Sequence, residues 1–207
     1  MAVSYLFRAF GSGWLDLPLP FVRQRDAKRA EVVTQMVERD IRSPLTSSCG
    51  RLFDAVAALV GVRDLVTYEG QAAQELEAIM QDAPAGSYPY ELQDGPCIVV
   101  SYLDTIRAIV NDLLHSVPPE TISRKFHDTL VSLLVEVCTR VRERTGLGRV
   151  VLSGGSFQNA YLDAVLPRSL GERGFEVHTH SQVPPNDGGI SLGQAVVANF
   201  RLREGTG

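Results

Sequence analysis

The sequence contains little cysteine and no marked excess of charge of one sign. Three of its 207 residues are cysteines, at positions 49, 97 and 138, and no Cys-x-x-Cys or Cys/His spacing joins them. This usage argues against a disulfide framework or a zinc knot and fits three free thiols in a reducing compartment. The formal net charge is −4. A basic stripe for a nucleic-acid backbone is therefore missing, and no nucleic-acid partner is expected.

Long apolar runs are also missing. No stretch reaches the roughly 18–20 residues that cross a bilayer, and residues 1–10 lack the layout of a signal peptide. We therefore expect a cytoplasmic protein with no membrane partner. Hydrophobic residues make up 44% of the chain and charged residues 21%, which is typical of a soluble globular protein.

Hydrophobic periodicity predicts an α/β chain that is rich in helix. Residues 14–26 are predicted to form a surface connection, and Val32, Val33, Met36 and Val37 to form the apolar stripe of a helix. The order of elements fits one lobe of a two-lobed nucleotide-binding fold better than a complete open sheet. The predicted helices span 1–10, 27–40, 52–60, 71–82, 102–115, 119–144, 158–172 and 190–201, and the predicted strands span 88–92, 97–101, 149–152 and 175–179.

Two glycine-rich turns are the most informative features. The first, Ser153-Gly154-Gly155, follows a predicted buried strand and opens a helix, and the second runs from Pro184 to Gly189 and opens another helix. Glycine lets the backbone approach a ligand closely, and a helix start favours a phosphate. Either turn alone is often only a connection. The pair predicts a cleft for a nucleotide.

Three polar side chains are candidates for that cleft. Asp187 is either a plain helix cap or a metal-binding carboxylate. Asp54 is the one charge in an apolar run, so it either reaches solvent or binds a ligand such as a ribose. Asn159 lies in the first turn of the helix after Gly154-Gly155, where its amide suits a base or ribose edge or is an ordinary surface group.

The histidines give weaker signals. His127 on the long helix is predicted to be structural, while His178 and His180 alternate on a strand and offer a metal pair without a nearby third ligand. No Ser/His/Asp arrangement or reactive-cysteine setting is present in the sequence. The catalytic residues are therefore unknown at this stage.

Five segments of the chain closely resemble the C-terminal region of the HypF family of hydrogenase-maturation carbamoyltransferases. The resemblance runs from residue 1 to about residue 198, and the five motifs stand in the family's order. The segments are TSSCGRLFDAVAALVG (46–61), YEGQAAQELE (68–77), KFHDTL (125–130), LSGGSFQN (152–159) and VPPNDGGISLGQA (183–195).

The resemblance implies a fold and an activity. The fold would be the second lobe of an actin/sugar-kinase/Hsp70-type ATPase fold, similar to the tRNA threonylcarbamoyl-transferase subunit. The family makes carbamoyl-adenylate from carbamoyl phosphate and ATP and passes the carbamoyl group to the C-terminal cysteine of a HypE-like partner, where it becomes a cyanide ligand of the nickel–iron centre. By resemblance, Asp187 would bind a divalent metal (Mg, Zn or Fe), and the nucleotide would contact Asp54, Gly70, Gly154, Gly155 and Asn159.

The sequence departs from the family in length. Members are several times longer and carry a first lobe with a His-x-x-x-His metal pair, which is not found here. We therefore expect residues 1–50 to be a helical remainder of the transferase domain and 51–207 its nucleotide-binding lobe, with the isolated chain inactive without the missing N-terminal part. The alternative is a non-catalytic nucleotide-binding or interaction module. A sugar-kinase-like ATPase is disfavoured by the Phe-Gln-Asn and Pro-Pro-Asn-Asp-Gly-Gly motifs.

Overall fold

A computed structural model describes residues 1–205 of the chain, in two compact units. The first unit is Met1–Leu133 and the second begins at Leu134, so the boundary falls inside one long helix. The predicted division at residue 50 concerns the family's domains and stays a prediction. No helix within residues 1–205 is long and apolar enough to span a membrane.

The first unit is mainly helical. A serine cap begins α4, where the Ser48 hydroxyl accepts a hydrogen bond from the Arg51 amide at 3.4 Å. Gly61, with φ 83°, ends the same helix in the left-handed conformation. Its elements are α1 (Ala2–Phe10), α2 (Pro20–Arg23), α3 (Ala27–Glu38), α4 (Cys49–Val60), α5 (Gln71–Ala78), β1 (Glu91–Gln93), β2 (Val99–Ser101), α6 (Leu103–Leu114) and the start of α7 (Pro119–Thr145).

The core of this unit contains two aromatic rings in contact. The rings of Phe53 and Phe126 meet edge to face with centroids 5.0 Å apart, and both are nearly excluded from solvent. Around them lie Leu6, Leu52, Leu76, Ile106, Ile109, Ile122 and Leu130, each fully buried. The helix predicted over 119–144 thus contributes Ile122, Phe126 and Leu130 to this core in its first half.

Two predictions about the N-terminal third were wrong. Residues 14–26 are not a surface connection, because Trp14 is fully buried and its indole N–H donates to Thr34 Oγ1 at 3.2 Å. On α3 the predicted stripe is not the buried face: Val32 is 56% and Val33 40% exposed, Met36 and Val37 are half-buried, and Ala30 is buried instead. Helix α3 packs against α1.

The two strands predicted over 88–92 and 97–101 are confirmed but shorter, and they form a hairpin. Strands β1 and β2 pair antiparallel, with Glu91 opposite Ser101 and Gln93 opposite Val99. Tyr88 lies outside the ladder, because its backbone N–H donates to the Thr129 hydroxyl at 2.7 Å. A side chain of α7 thus takes a hydrogen bond that the sequence pattern had assigned to the sheet.

The second unit is an α/β segment with little interior. It contains the end of α7, then β3 (Arg149–Val151), α8 (Ala160–Glu172), β4 (Glu176–His178) and α9 (Ile190–Glu204). Strands β3 and β4 pair in parallel, and Leu162, Leu166 and Leu170 of α8 are buried. The prediction of a buried strand at 149–152 was wrong for β3, because each strand has one neighbour in the described chain and Val151 is 65% exposed.

Candidate functional site

The Ser-Gly-Gly turn follows β3 and is built around one strained position. Gly154 has φ 107° and ψ 161°, a region that only glycine occupies readily. The sequence predicted that the glycines open a helix, but α8 does not start there. A 3₁₀ turn, Gly155–Gln158, comes first, and α8 begins at Ala160. The glycines therefore lie one short turn away from the helix terminus.

The second glycine-rich turn is held by close packing. Asp187–Gly189 forms a 3₁₀ turn directly before α9, and the Asn186 side chain accepts a hydrogen bond from the Gly188 amide at 3.0 Å. A Cβ atom on Gly188 would lie 3.0 Å from Pro184 Cγ, and one on Gly189 would lie 3.0 Å from the Pro184 carbonyl oxygen. A side chain at either position would therefore crowd Pro184.

Hydrogen bonds join the two turns. The Gly154 amide donates to the Pro185 carbonyl at 2.7 Å, and Ser153 Oγ lies 2.9 Å from His180 Nε2. The Leu152 amide donates to the His178 carbonyl at 2.9 Å, which extends the β3–β4 pairing by one residue. The structure thus brings the Gly154-Gly155 turn next to the loop that carries Asp187. The sequence pattern did not predict the Ser153–His180 and Gly154–Pro185 contacts, although these residues lie in or near the two turns.

Asp187 is open to solvent. Its carboxylate makes no hydrogen bond or ion pair with any residue of the described chain, and Asn186 performs the capping role that was the alternative for Asp187. Within residues 1–205, no group of three or more His, Cys, Asp or Glu side chains is arranged to hold a metal ion. These residues alone do not form a metal site, and Asp187 as a ligand stays a prediction.

Asn159 has a structural role that the sequence analysis missed. It is the N-cap of α8, and its Oδ1 accepts a hydrogen bond from the Leu162 amide at 2.9 Å. The residue is buried, with 8% of its surface exposed, so it is not an ordinary surface asparagine. Its contact with a nucleotide stays a prediction.

The remaining two candidates lie in the first unit. The Asp54 side chain is 30% exposed and pairs with Arg51 at 3.2 Å, one turn earlier on α4. The solvent-reaching alternative for Asp54 is therefore confirmed, and its contact with a ribose stays a prediction. Gly70 has φ 80° at the start of α5, so the left-handed backbone already requires a glycine there. Helices α4 and α5 pack against each other within this unit.

The histidines have separate environments. His127 is fully buried, its Nδ1 lies 2.8 Å from the Ser123 carbonyl, and burial lowers its pKa. Its structural interpretation is confirmed. His178 contacts Glu176 at 3.0 Å, whereas His180 contacts Ser153. His180 lies beyond the end of β4, so the two histidines do not alternate on one strand. In the described residues they share no ligand, and the idea of a metal pair is not supported.

Comparison with known proteins gives the family. Residues 1–194 match the family model described as "Carbamoyltransferase, Kae1-like Domain, second subdomain". The chain belongs to this carbamoyltransferase family. It is 38% identical over 165 residues to carbamoyltransferase HypF of Synechocystis sp., covering 79% of this chain and 21% of that protein. It is 39% identical over 168 residues to HypF of Rhizobium leguminosarum bv. viciae, covering 80% and 21%.

Solved HypF structures share the fold. A crystal structure of full-length HypF in the phosphate- and nucleotide-bound form is 42% identical to this chain, with a TM-score of 0.88, over 97% of this chain and 26% of that one. The structure of T. kodakarensis HypF, 23% identical, has a TM-score of 0.79 and supports the fold alone. The predicted family and the helix-rich α/β fold, as part of the Kae1-like domain, are both confirmed. The chain spans about a fifth of the length of the two curated relatives.

Proposed function

We propose that this chain supplies the nucleotide-contacting part of a cytoplasmic carbamoyltransferase of hydrogenase maturation. The enzyme would form carbamoyl-adenylate from carbamoyl phosphate and ATP, and transfer the carbamoyl group to the C-terminal cysteine of a HypE-like acceptor. One observation carries the proposal. The Gly154–Pro185 hydrogen bond, at 2.7 Å, unites two glycine-rich turns in a chain that is 42% identical to a HypF crystallised with a nucleotide.

Gly155 has open space beside its backbone in the Ser-Gly-Gly turn. A Cβ atom built on this residue would meet nothing within 4 Å, and its φ is not positive. Neither packing nor backbone conformation within the chain therefore requires a glycine at this position. A ligand that contacts the backbone closely would require one. We assign the Gly155 backbone to contact with the nucleotide, next to Gly154.

Asp187 and Asp54 would have different tasks. Asp187 is an exposed carboxylate in the second of the joined turns, and we propose that it is one ligand of a divalent metal whose other ligands lie outside the described residues. Asp54 already has a charged neighbour, Arg51, at 3.2 Å. Its proposed partner is a ribose hydroxyl. A partly exposed carboxylate can accept a hydrogen bond from this group at little desolvation cost. Asn159 would contact the nucleotide from the start of α8.

The decisive experiment is a carbamoylation assay. The full chain is mixed with carbamoyl phosphate, ATP, Mg²⁺ and a HypE-like acceptor, with or without a second protein that carries the remaining HypF domains. Mass spectrometry then follows carbamoylation of the acceptor's C-terminal cysteine. We expect product when both proteins are present and none with the chain alone. Equal product without the chain would contradict the proposal.

Asp187→Ala tests the metal role, with Asn186→Ala as its control. Asp187→Ala should abolish product formation in the reconstituted reaction and leave the thermal midpoint unchanged, since its carboxylate holds no described residue. Asn186→Ala should lower the midpoint, because it removes the Gly188 cap. Full activity of Asp187→Ala would exclude the metal assignment.

Nucleotide binding tests the alternative of a non-catalytic module. We expect ATP to bind the chain alone with a dissociation constant in the high micromolar range, roughly −5 kcal/mol, because one wall of a cleft covers little of the ligand. Asp54→Ala should weaken binding by about 1–3 kcal/mol. Asp104→Ala, which removes a similar i,i+3 pair with Arg107, should not. ATP binding without any product in the complete reaction would favour the non-catalytic module.

A further inference from the structure

His180 holds an unusual place beside the joined turns. It lies two residues beyond β4, is exposed, and reaches back with Nε2 to Ser153 Oγ at 2.9 Å. Ser153 directly precedes Gly154. A side chain from the loop that leads to Asp187 therefore contacts the residue that begins the Ser-Gly-Gly turn.

Three consecutive residues connect to this loop. Leu152 bonds to His178, Ser153 to His180 and Gly154 to Pro185, at 2.9, 2.9 and 2.7 Å. Over this span the first segment advances by two residues and the second by seven, so the loop bulges away between its two backbone contacts. In the described chain, the His180 bond is the hydrogen bond that fixes residues 179–184 between those contacts.

The pair does not resemble a nucleophile and its base. Such a pair needs a third group that orients the histidine. No described residue hydrogen-bonds the Nδ1 atom of His180, and the nearby carboxylate of Glu176 contacts His178 instead. A hydrogen bond between two exposed side chains, without an orienting group, is suited to holding one segment against another.

We propose that His180 is a positioning residue for the nucleotide. Through Ser153 it holds the Gly154-Gly155 turn in register with the loop that carries Asp187, so that both face one ligand. This inference rests on the proposed function, because it assumes that the turn binds a nucleotide. His180 itself need not touch the ligand.

The expected effect is on the affinity for ATP, with little effect on the stability of the fold. Loss of one hydrogen bond of this kind should weaken ATP binding about threefold to tenfold. His180→Ala and Ser153→Ala each remove the same bond, so the double variant should be no worse than either single one. His180→Gln keeps a polar group on a side chain of similar reach and should restore most of the affinity. His178→Ala, which removes an adjacent exposed histidine, should bind ATP as the original chain does.

The experiment is calorimetric titration of the full chain with ATP for all five variants, together with hydrogen exchange of residues 152–158 without ATP. His180→Ala should speed exchange in this segment, whereas His178→Ala should not. Additive losses in the double variant, or equal losses in His178→Ala, would overturn the proposal. If the original chain binds no ATP, the proposed function fails for this chain. Unchanged exchange in His180→Ala would then separately refute the positioning role.

Discussion

The two compact units differ in how their apolar side chains are covered. In the first unit, Trp14 and Phe126 are fully shielded from water, whereas in the second Phe200 is 62% and Leu202 83% exposed. Helix α9 has no buried residue. The difference follows from neighbours, since helices of the first unit pack on one another while α9 contacts mainly the turn that precedes it.

The unit that is expected to be more stable is not the unit that carries the two glycine-rich turns. Burial of apolar surface is the main source of folding free energy, so the first unit should be the more stable one. The two glycine-rich turns lie in the second unit, where hydrogen bonds hold them together. Ligand-binding segments are commonly drawn from the less stable parts of a protein.

The largest expected effect tests the contrast directly. Phe126→Ala removes a fully buried ring that meets Phe53 and should lower the free energy of unfolding by about 3–5 kcal/mol. Phe200→Ala, the same substitution on α9, should change it by no more than about 0.5 kcal/mol. Urea denaturation of both variants measures the difference. Similar losses would show that α9 is packed in solution and that the comparison fails.

A second pair of variants tests the Ser-Gly-Gly turn of the second unit. Gly154→Ala forces a side chain into a glycine-only conformation, at a cost of about 1–3 kcal/mol. Gly155→Ala meets no steric obstacle and should fold normally, but it should weaken ATP binding. Hydrogen exchange of residues 152–158 and calorimetry separate the two effects. Normal ATP binding by Gly155→Ala would contradict the assignment of its backbone to the ligand.

Acid sensitivity is expected in the first unit. Burial lowers the pKa of His127, although the Ser123 hydrogen bond and the charges of Glu77 and Asp128 oppose the shift. The unfolded chain therefore binds the proton more readily. Stability from the neutral ring is present above about pH 6.5 and is lost as the pH falls towards the lowered value.

The slope gives the size of this effect. One proton contributes at most about 1.4 kcal/mol per pH unit. His127→Gln should flatten the dependence of the unfolding free energy on pH below about pH 6.5. His115→Gln, which alters an exposed histidine, is the control substitution. Parallel curves for the original chain and His127→Gln would show that His127 does not control acid sensitivity.

The smallest effects concern helix caps in the two units. Asn159→Ala removes a buried cap with a 2.9 Å hydrogen bond and should cost about 1 kcal/mol. Ser48→Ala removes an exposed cap whose bond is 3.4 Å long, and its cost should be smaller. Thermal denaturation with hydrogen exchange localises each loss. A greater cost for Ser48→Ala would reverse the expected order.

Helix positions were largely predictable because they depend mainly on local residue propensity and apolar periodicity. The elements predicted over 119–144, 149–152, 158–172, 175–179 and 190–201 correspond in order to α7, β3, α8, β4 and α9. The family motifs predicted the fold. Propensity and periodicity act within a few turns of chain, so a single sequence reveals them.

The faces of these elements were decided by tertiary contacts. On α3, which packs against α1, Ala30 is buried and Val32 is exposed. Trp14 enters the core from a segment with no regular pattern. Periodicity indicates that an apolar face exists, but neighbours distant in sequence decide which residues lose contact with water.

For the candidate site, the sequence by itself determined the two glycine-rich turns, the acidic residue in one of them and the family to which they belong. Only the tertiary structure decided that Gly154 bonds to Pro185, that His180 reaches Ser153, and that Asn186 rather than Asp187 caps its turn. The physical reason is that hydrogen bonds between segments about 30 residues apart depend on strand pairing, which a local pattern does not encode.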